Sequence, residues 1–434
     1  MSGTREASAG AGQPPLTDAE RGFGALLEQS HLAAPHELPE FITRHARPLG
    51  VVEATPYLAD LQQHVLVPFL PSGGPEVGRQ VEPLDVESTL AGRAYQQIEV
   101  LTQEAAGGRV RVWMPLLDGA ERLGVLEFVI PDHLAADVPN GLFGARLHHF
   151  ATLVAELIMT KTMYGDTIVR LRRRAEMGLA AEMQWTTLPP LTFSGREVTI
   201  AAALEPAYEV AGDTVDYAVD AGVARAAVFD GMGHGLRSAQ LATLAVAAYR
   251  NCRRADRSLP ETAIRISGTL AEAFAGTAFS TAVLAELDTG TGVLTWVNAG
   301  HPEPLLLREG KLVGSLHTRP MLPLGMRISG RPPDTDIMVG REQLQPDDRV
   351  LLYTDGVTEA RSPTGDFFGE RALADLLVRN LAAGLPTAET MRRLVRALLD
   401  HQQGQLTDDA TMLLLEWRSD NTAASVPGVP GVPG

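Results

Sequence analysis

Between residues 191 and 418 the sequence repeatedly sets an acidic residue at the edge of an apolar segment: Asp213 in VAGDTVD, Asp230 in AAVFDGMGHG, Asp355 in LLYTDGVTE and Asp408-Asp409 in TDDATMLLL. Taken singly, each reads as a turn, since Asp-Gly after a strand is a common way to reverse the chain. Taken together they constrain more. Carboxylates crowded at one end of a sheet repel, and each is raised in pKa unless a cation neutralises the group. A divalent metal centre resolves that repulsion. Oxygen donors without His or Cys ligand spacing point to hard cations, Mg²⁺ or Mn²⁺, and away from zinc.

The surrounding pattern indicates how such a site is carried. Strand candidates occur at 198–204, 224–230, 279–287, 293–297, 304–308, 349–355 and 410–417, with helical stretches at about 236–255, 261–275, 370–379 and 387–402. Strands in runs with helices grouped between them argue for an α+β fold, a β-sandwich flanked by helices in α-β-β-α order, and against a doubly wound parallel sheet. Residues 22–160 read as a smaller α/β domain, because strand-like 112–117 and 123–130 flank Asp118-Gly119 and a helix follows over about 141–159. Over 161–190, apolar residues from Leu157 through Leu171 to Leu179 recur at helical steps beside a basic run, Arg170 and Arg172–Arg174, and the pattern stops at Pro189-Pro190. That predicts a helical, coiled-coil-like linker, serving either as a dimerising zipper or as an arm packed on its own chain. Residues 1–21 and 419–434, rich in small residues, Gly and Pro, read as disordered tails.

Bulk properties exclude several classes. The net charge of −16 disfavours a general affinity for nucleic acid. No uncharged apolar run approaches the roughly 20 residues that span a bilayer, and the amino terminus shows no secretory pattern. The single cysteine, Cys252, cannot form an intramolecular disulfide and has no His nearby in sequence, which sets aside a cysteine-nucleophile enzyme. These features predict a cytoplasmic protein with no membrane or nucleic-acid partner.

From about Met183 to Trp417 the chain resembles the protein phosphatase 2C superfamily in its bacterial SpoIIE-like branch. The resemblance rests on MQWTTLPP, EPAYEVAGDTVDY, FDGMGHGLRSA, FSTAVLAELD, VNAGHPEPLLL, MLPLG, LLYTDGVTEA and TDDATMLLL, which occur in family order. It implies a metal-dependent protein serine/threonine phosphatase with two Mn²⁺ or Mg²⁺ ions, in which a water acidified by both cations attacks phosphorus. Asp230 is then the bridging carboxylate and the Gly231 carbonyl a further ligand. Asp355 and Asp408 complete the second metal, Asp213 acts mainly through water, and Asp409 ranks after Asp408. Two departures stand out. Met232 occupies the place of a histidine often assigned as general acid, and Ala211 and Thr214-Val215 replace a usual Gly and a common aromatic. His234 and His301 are read as turn residues.

Residues 22–160 are similar to a GAF sensor domain, chiefly in STLAGRAYQQIEVL and RVWMPLLDGAERLGVLEFVI. With Cys252 outside this region a cysteine-attached bilin is excluded, whereas a small ligand, a haem or no ligand stays open. The resemblance implies a homodimeric phosphatase whose substrate is a phosphorylated regulator of the anti-sigma-factor antagonist type. A pseudophosphatase that binds its regulator without hydrolysis is the competing reading, and a two-metal phosphoesterase for small molecules a weaker one.

Overall fold

A computed structural model of the chain describes residues 17–71, 82–205, 208, 212–328, 336–404, 406 and 408–418. Helix α1 (Asp18–Ser30) begins inside the stretch expected to be a tail. Thr17 and Glu20 form a capping box that starts the helix, the Thr17 hydroxyl accepting from the Glu20 amide and the Glu20 carboxylate accepting from the Thr17 amide. The expected tails at 1–16 and 419–434 lie outside the described residues, as does Ala211.

The front region continues with α2 (Leu38–Ala46), β1 (Glu53–Ala59), β2 (Val65–Pro68), β3 (Leu84–Asp85), α3 (Leu90–Gln97), β4 (Leu101–Ala105), β5 (Arg109–Asp118), β6 (Glu121–Pro131) and α4 (Leu142–Thr162). Its strands form one antiparallel sheet in the order β3-β2-β1-β6-β5-β4. The expected D-G hairpin is present, Asp118 pairing with Glu121. Alternate residues of β5 and β6 face opposite sides. Val112, Met114, Phe128 and Ile130 pack under α1, α2 and α4, while Trp113 and Val125 pack with Tyr95 of α3.

The long helix expected over 161–190 is in fact broken. After α4 come two short helices, α5 (Thr167–Arg172) and α6 (Leu179–Thr187). Tertiary packing overrides the periodicity, because its residues go to different places. Ile168 and Leu171 join the front core, whereas Leu179 is 66% exposed. The Arg172 carbonyl accepts from the Leu61 amide and its Nε donates to the Ala59 carbonyl, which ends α5 against the front sheet. Helix α6 then lies along α7 (Leu236–Arg254). Within one chain, the segment is an arm packed on its own chain.

The second region is a four-layer stack. Strands β7 (Thr192–Ser194), β8 (Val198–Glu205), β13 (Leu305–Arg308), β14 (Lys311–Ser315), β16 (Arg349–Tyr353) and β17 (Ala410–Trp417) form one sheet, ordered β14-β13-β16-β17-β8-β7. Strands β9 (Thr214–Asp220), β10 (Val223–Gly231), β11 (Ser280–Asp288), β12 (Val293–Ala299) and β15 (Gly340–Gln343) form the other, ordered β15-β12-β11-β10-β9. Period-two alternation explains the layering. Ala226, Val228, Val283, Leu352 and Leu413 meet between the sheets. Their neighbours Ala227, Phe229 and Leu284 face α7 and α8 (Leu259–Ala273), and Leu351, Met412 and Leu414 face α10 (Gly369–Ala382) and α11 (Thr387–His401).

Front and second regions meet through charges. Arg122 of β6 pairs with Glu389 of α11 at 2.9 Å with both side chains buried, and Arg392 bonds both Glu389 and Glu87, the latter at 2.6 Å. Arg396 reaches Glu87 at 3.0 Å and the Arg122 guanidinium lies 4.6 Å from the Tyr95 ring centre. Burial alone would raise the Glu389 pKa, but Arg392 and Arg122 outweigh it and hold the carboxyl at about 2. Among the described residues, no helix is long and apolar enough to cross a membrane.

Candidate metal centre

The acidic residues picked out above come to one end of the sandwich. Asp213 directly precedes β9, Asp230 and Gly231 close β10, and Asp408-Asp409 directly precede β17. Asp355 starts the one-turn helix α9 (Asp355–Thr358) after β16. Antiparallel pairing makes these ends adjacent, with Phe229 opposite Thr214, Asp230 opposite Thr281 and Tyr353 opposite Met412. The alternation that buries Ala226 and Val228 between the sheets carries Asp230 to the same inner side, and Thr281 follows likewise from Val283.

Contacts across the sandwich hold this end together. Thr354 donates its hydroxyl to Asp213 Oδ2 at 2.6 Å. Asp409 Oδ2 accepts the Gly212 amide at 2.8 Å and the Asp213 amide at 3.3 Å, so this carboxylate clamps the loop that carries Asp213. The Gly212 carbonyl accepts from the Gly231 amide, and a Cβ on Gly212 would stand 2.2 Å from both the Gly231 oxygen and Ser238 Oγ. Only glycine allows the two segments so close. Gln184 of α6, fully buried, donates its amide to the Asp213 carbonyl.

Electrostatics at this end is unfavourable without a counter-charge. Burial, then the charges of Asp230 and Asp409, push Asp213 well above the ordinary carboxyl range. Burial, then Asp355, push Asp230 up to about 6, and burial, then Glu359 and Asp408, raise Asp355. Among the described residues Asp213, Asp230, Asp355 and Asp408 form no ion pair with Lys or Arg, whereas nearby Asp216 is bound by Arg250 and Arg253. The donor set therefore suits hard divalent cations: oxygen-only, anionic and unneutralised. Among the described residues no three His, Cys, Asp or Glu side chains converge into a finished metal cage, and Asp408 is exposed with Oδ1 accepting the Asp409 amide at 2.9 Å.

Sequence reasoning missed the groups that position these carboxylates. Gln184 lay within MQWTTLPP, Thr354 within LLYTD and Thr281 within FSTAV. A strict two-residue alternation into the sandwich was the signal for Thr281, while Gln184 had none. Met232 is 44% exposed and donates its amide to the Phe279 carbonyl, and Val215 packs in the inter-sheet core.

A second concavity lies in the front region, a cleft of about 1050 Å³ whose floor includes Tyr57, Phe69, Trp113, Arg111 and Glu127. The Tyr57 hydroxyl donates to Glu127 at 3.3 Å and Arg111 pairs with Glu127 at 3.2 Å.

Comparisons with known proteins found relatives for part of the chain. The family model described as Stage II sporulation protein E (SpoIIE) matches residues 220–418. Protein IcfG of Synechocystis sp. is 32% identical over 137 residues, 31% of this chain and 20% of that protein. Phosphoserine phosphatase RsbU of Bacillus subtilis is 25% identical over 250 residues, 56% of this chain and 70% of that protein. The structure of the RsbU and RsbW domains of Rv1364c from Mycobacterium tuberculosis is 25% identical with a TM-score of 0.44, covering 51% of this chain and 60% of that one. The match to IcfG thus spans a fifth of its length. The match to the SpoIIE model lies within the second region and takes in Asp230, Asp355, Asp408 and Asp409.

Proposed function

We propose that residues 191–418, the region containing the SpoIIE match, are a metal-dependent protein serine/threonine phosphatase. On this reading residues 22–160 are a GAF-like sensing domain and 161–190 the connection between them. The observation that carries it is the gathering of Asp213, Asp230, Asp355 and Asp408 at one end of the sandwich, with Asp213 and Asp230 raised in pKa and none of the four in an ion pair with Lys or Arg among the described residues.

Asp230, Asp355, Asp408 and the Gly231 carbonyl would hold two Mn²⁺ or Mg²⁺ ions, with Asp213 acting through water and Asp409 securing the loop. Bound there, the cations would supply the charge that acidifies an attacking water and offsets charge developing on the phosphoryl group. The chain's own contribution is placement. Thr354 orients the Asp213 carboxylate, Asp409 and Gly212 hold its backbone against β10, and the sandwich buries Asp213 and Asp409. Similarity to a phosphoserine phosphatase supports a phosphoserine or phosphothreonine substrate on a regulatory protein of the anti-sigma-factor antagonist type. The front cleft suits a small ligand, and the contact of α6 with Asp213 supports control by the front region.

The exposed placement of Asp408 favours a second reading, a scaffold that binds its regulator without hydrolysis. One assay separates the two: Mn²⁺-dependent phosphate release from a phosphoserine peptide by the intact chain and by Asp230→Ala. Turnover that needs Mn²⁺ and falls at least about 100-fold in the variant supports the phosphatase. Metal and peptide binding without turnover supports the scaffold.

A further inference from the structure

We infer that His301 is a positioning residue of this site, acting through the Thr281 hydroxyl to fix the Oδ2 oxygen of Asp230. The inference rests on reading the carboxylates as a metal centre. His301 follows β12 in the segment Asn298-Ala299-Gly300-His301, where a plain turn needs no buried imidazole. Yet the residue is only 6% exposed and its backbone is gripped from both sides. The His301 amide donates to Asn298 Oδ1 and the Asn298 side-chain amide donates to the His301 carbonyl, each at 2.8 Å. Gly300, at φ +70°, lets the chain reverse there, and a Cβ on it would press on Pro323 at 3.1 Å.

The ring so held places Nδ1 2.7 Å from Thr281 Oγ1, and Thr281 Oγ1 lies 3.3 Å from Asp230 Oδ2. Thr281 is the cross-strand partner of Asp230, and its hydroxyl makes the one side-chain hydrogen bond found for the Asp230 carboxylate among the described residues. Both contacts are satisfied together when Nδ1 carries the ring proton: Nδ1–H donates to Oγ1, and the hydroxyl proton is left to point at Asp230. Burial keeps the imidazole neutral, pushing its pKa down to about 3. A neutral ring adds no like or opposite charge to the carboxylates, so its contribution is direction. Residues that orient a ligating carboxylate in this manner typically change metal affinity or activity by about 10- to 100-fold when removed.

The test is Mn²⁺ binding by isothermal titration calorimetry on the full chain, with kcat and KM on a phosphoserine peptide alongside. His301→Phe and Thr281→Val should each weaken Mn²⁺ binding about 10-fold and lower kcat with KM little changed. Because the two act in series, the double variant should be no worse than the poorer single one within about twofold. His301→Asn, whose side-chain amide can stand where Nδ1 stands, should recover most of the affinity. Thr281→Val is nearly isosteric and carries the test if His301→Phe does not fold. Unchanged Mn²⁺ affinity and kcat, with only a lower melting temperature, would make His301 a structural turn residue and overturn the inference, as would losses that simply add. Asp230→Asn separates the premise from the inference. If it abolishes Mn²⁺ binding while the His301 and Thr281 variants bind normally, only the inference fails. If it leaves binding intact, the metal centre fails with it.

Discussion

Asp230 sits where burial and the charge of Asp355 act in the same direction, and its pKa of about 6 is a statement about stability as well as chemistry. The folded chain retains a proton over roughly pH 4 to 6 that the unfolded chain has given up. Stability of the metal-free protein must therefore fall as pH rises through that window. Asp213 shifts in the same direction, so the two reinforce one another. Denaturant melts in a chelator at pH 4.5 and 7 should show Asp230→Asn gaining roughly 1–3 kcal/mol relative to the parent at pH 7. Added Mn²⁺ should stabilise the parent at pH 7 and not the variant. An identical pH slope in the two proteins would mean that Asp230 is not strained by its neighbours. All five acidic residues were legible in the sequence because each interrupts an apolar run. Their supports were not, since Thr281, Thr354 and Gln184 matter through neighbours distant in sequence that only folding brings close.

At the scale of elements, legibility follows burial. The strands at 198–205, 223–231, 280–288, 293–299 and 410–417 and the helices at 236–254, 259–273 and 387–401 are read within a few residues, because each carries a long apolar face. Strand β9 was passed over although Val215, Tyr217 and Val219 alternate along it. Asp213, directly before it, reads as a turn residue, and Asp216 within it is held by Arg250 and Arg253. The short β7, β14 and β15 lie at sheet edges, where little side-chain burial marks the sequence. The linker shows the converse error. Its apolar steps suggested one helix, yet Leu171 belongs to the front core and Leu179 to the surface, so periodicity extended across residues that two different cores and the solvent divide between them.

The buried Arg122–Glu389–Arg392 charges bridge β6 of the front region and α11 of the second, with Glu87, just before α3, joined to them. Removing one partner of such a pair leaves the others uncompensated and typically costs about 3–5 kcal/mol, whereas replacing both by apolar groups can be nearly neutral. Glu389→Gln should accordingly split thermal unfolding into separate transitions for the front and second regions, and the Arg122→Met, Glu389→Leu double variant should recover part of the loss. A single unaltered transition in Glu389→Gln would show that the interface does not depend on this network. The same contacts lie beside the front cleft, since Leu90 and Ala91 of α3 line it and Glu87 is three residues before. The central claim remains that the clustered carboxylates are a two-cation centre, and calorimetric titration of the intact chain with Mn²⁺ tests it most directly. Two ions bound per chain, with binding lost in Asp230→Ala and reduced to one in Asp408→Asn, is the predicted result. No saturable binding, or binding that survives Asp230→Ala unchanged, would contradict it.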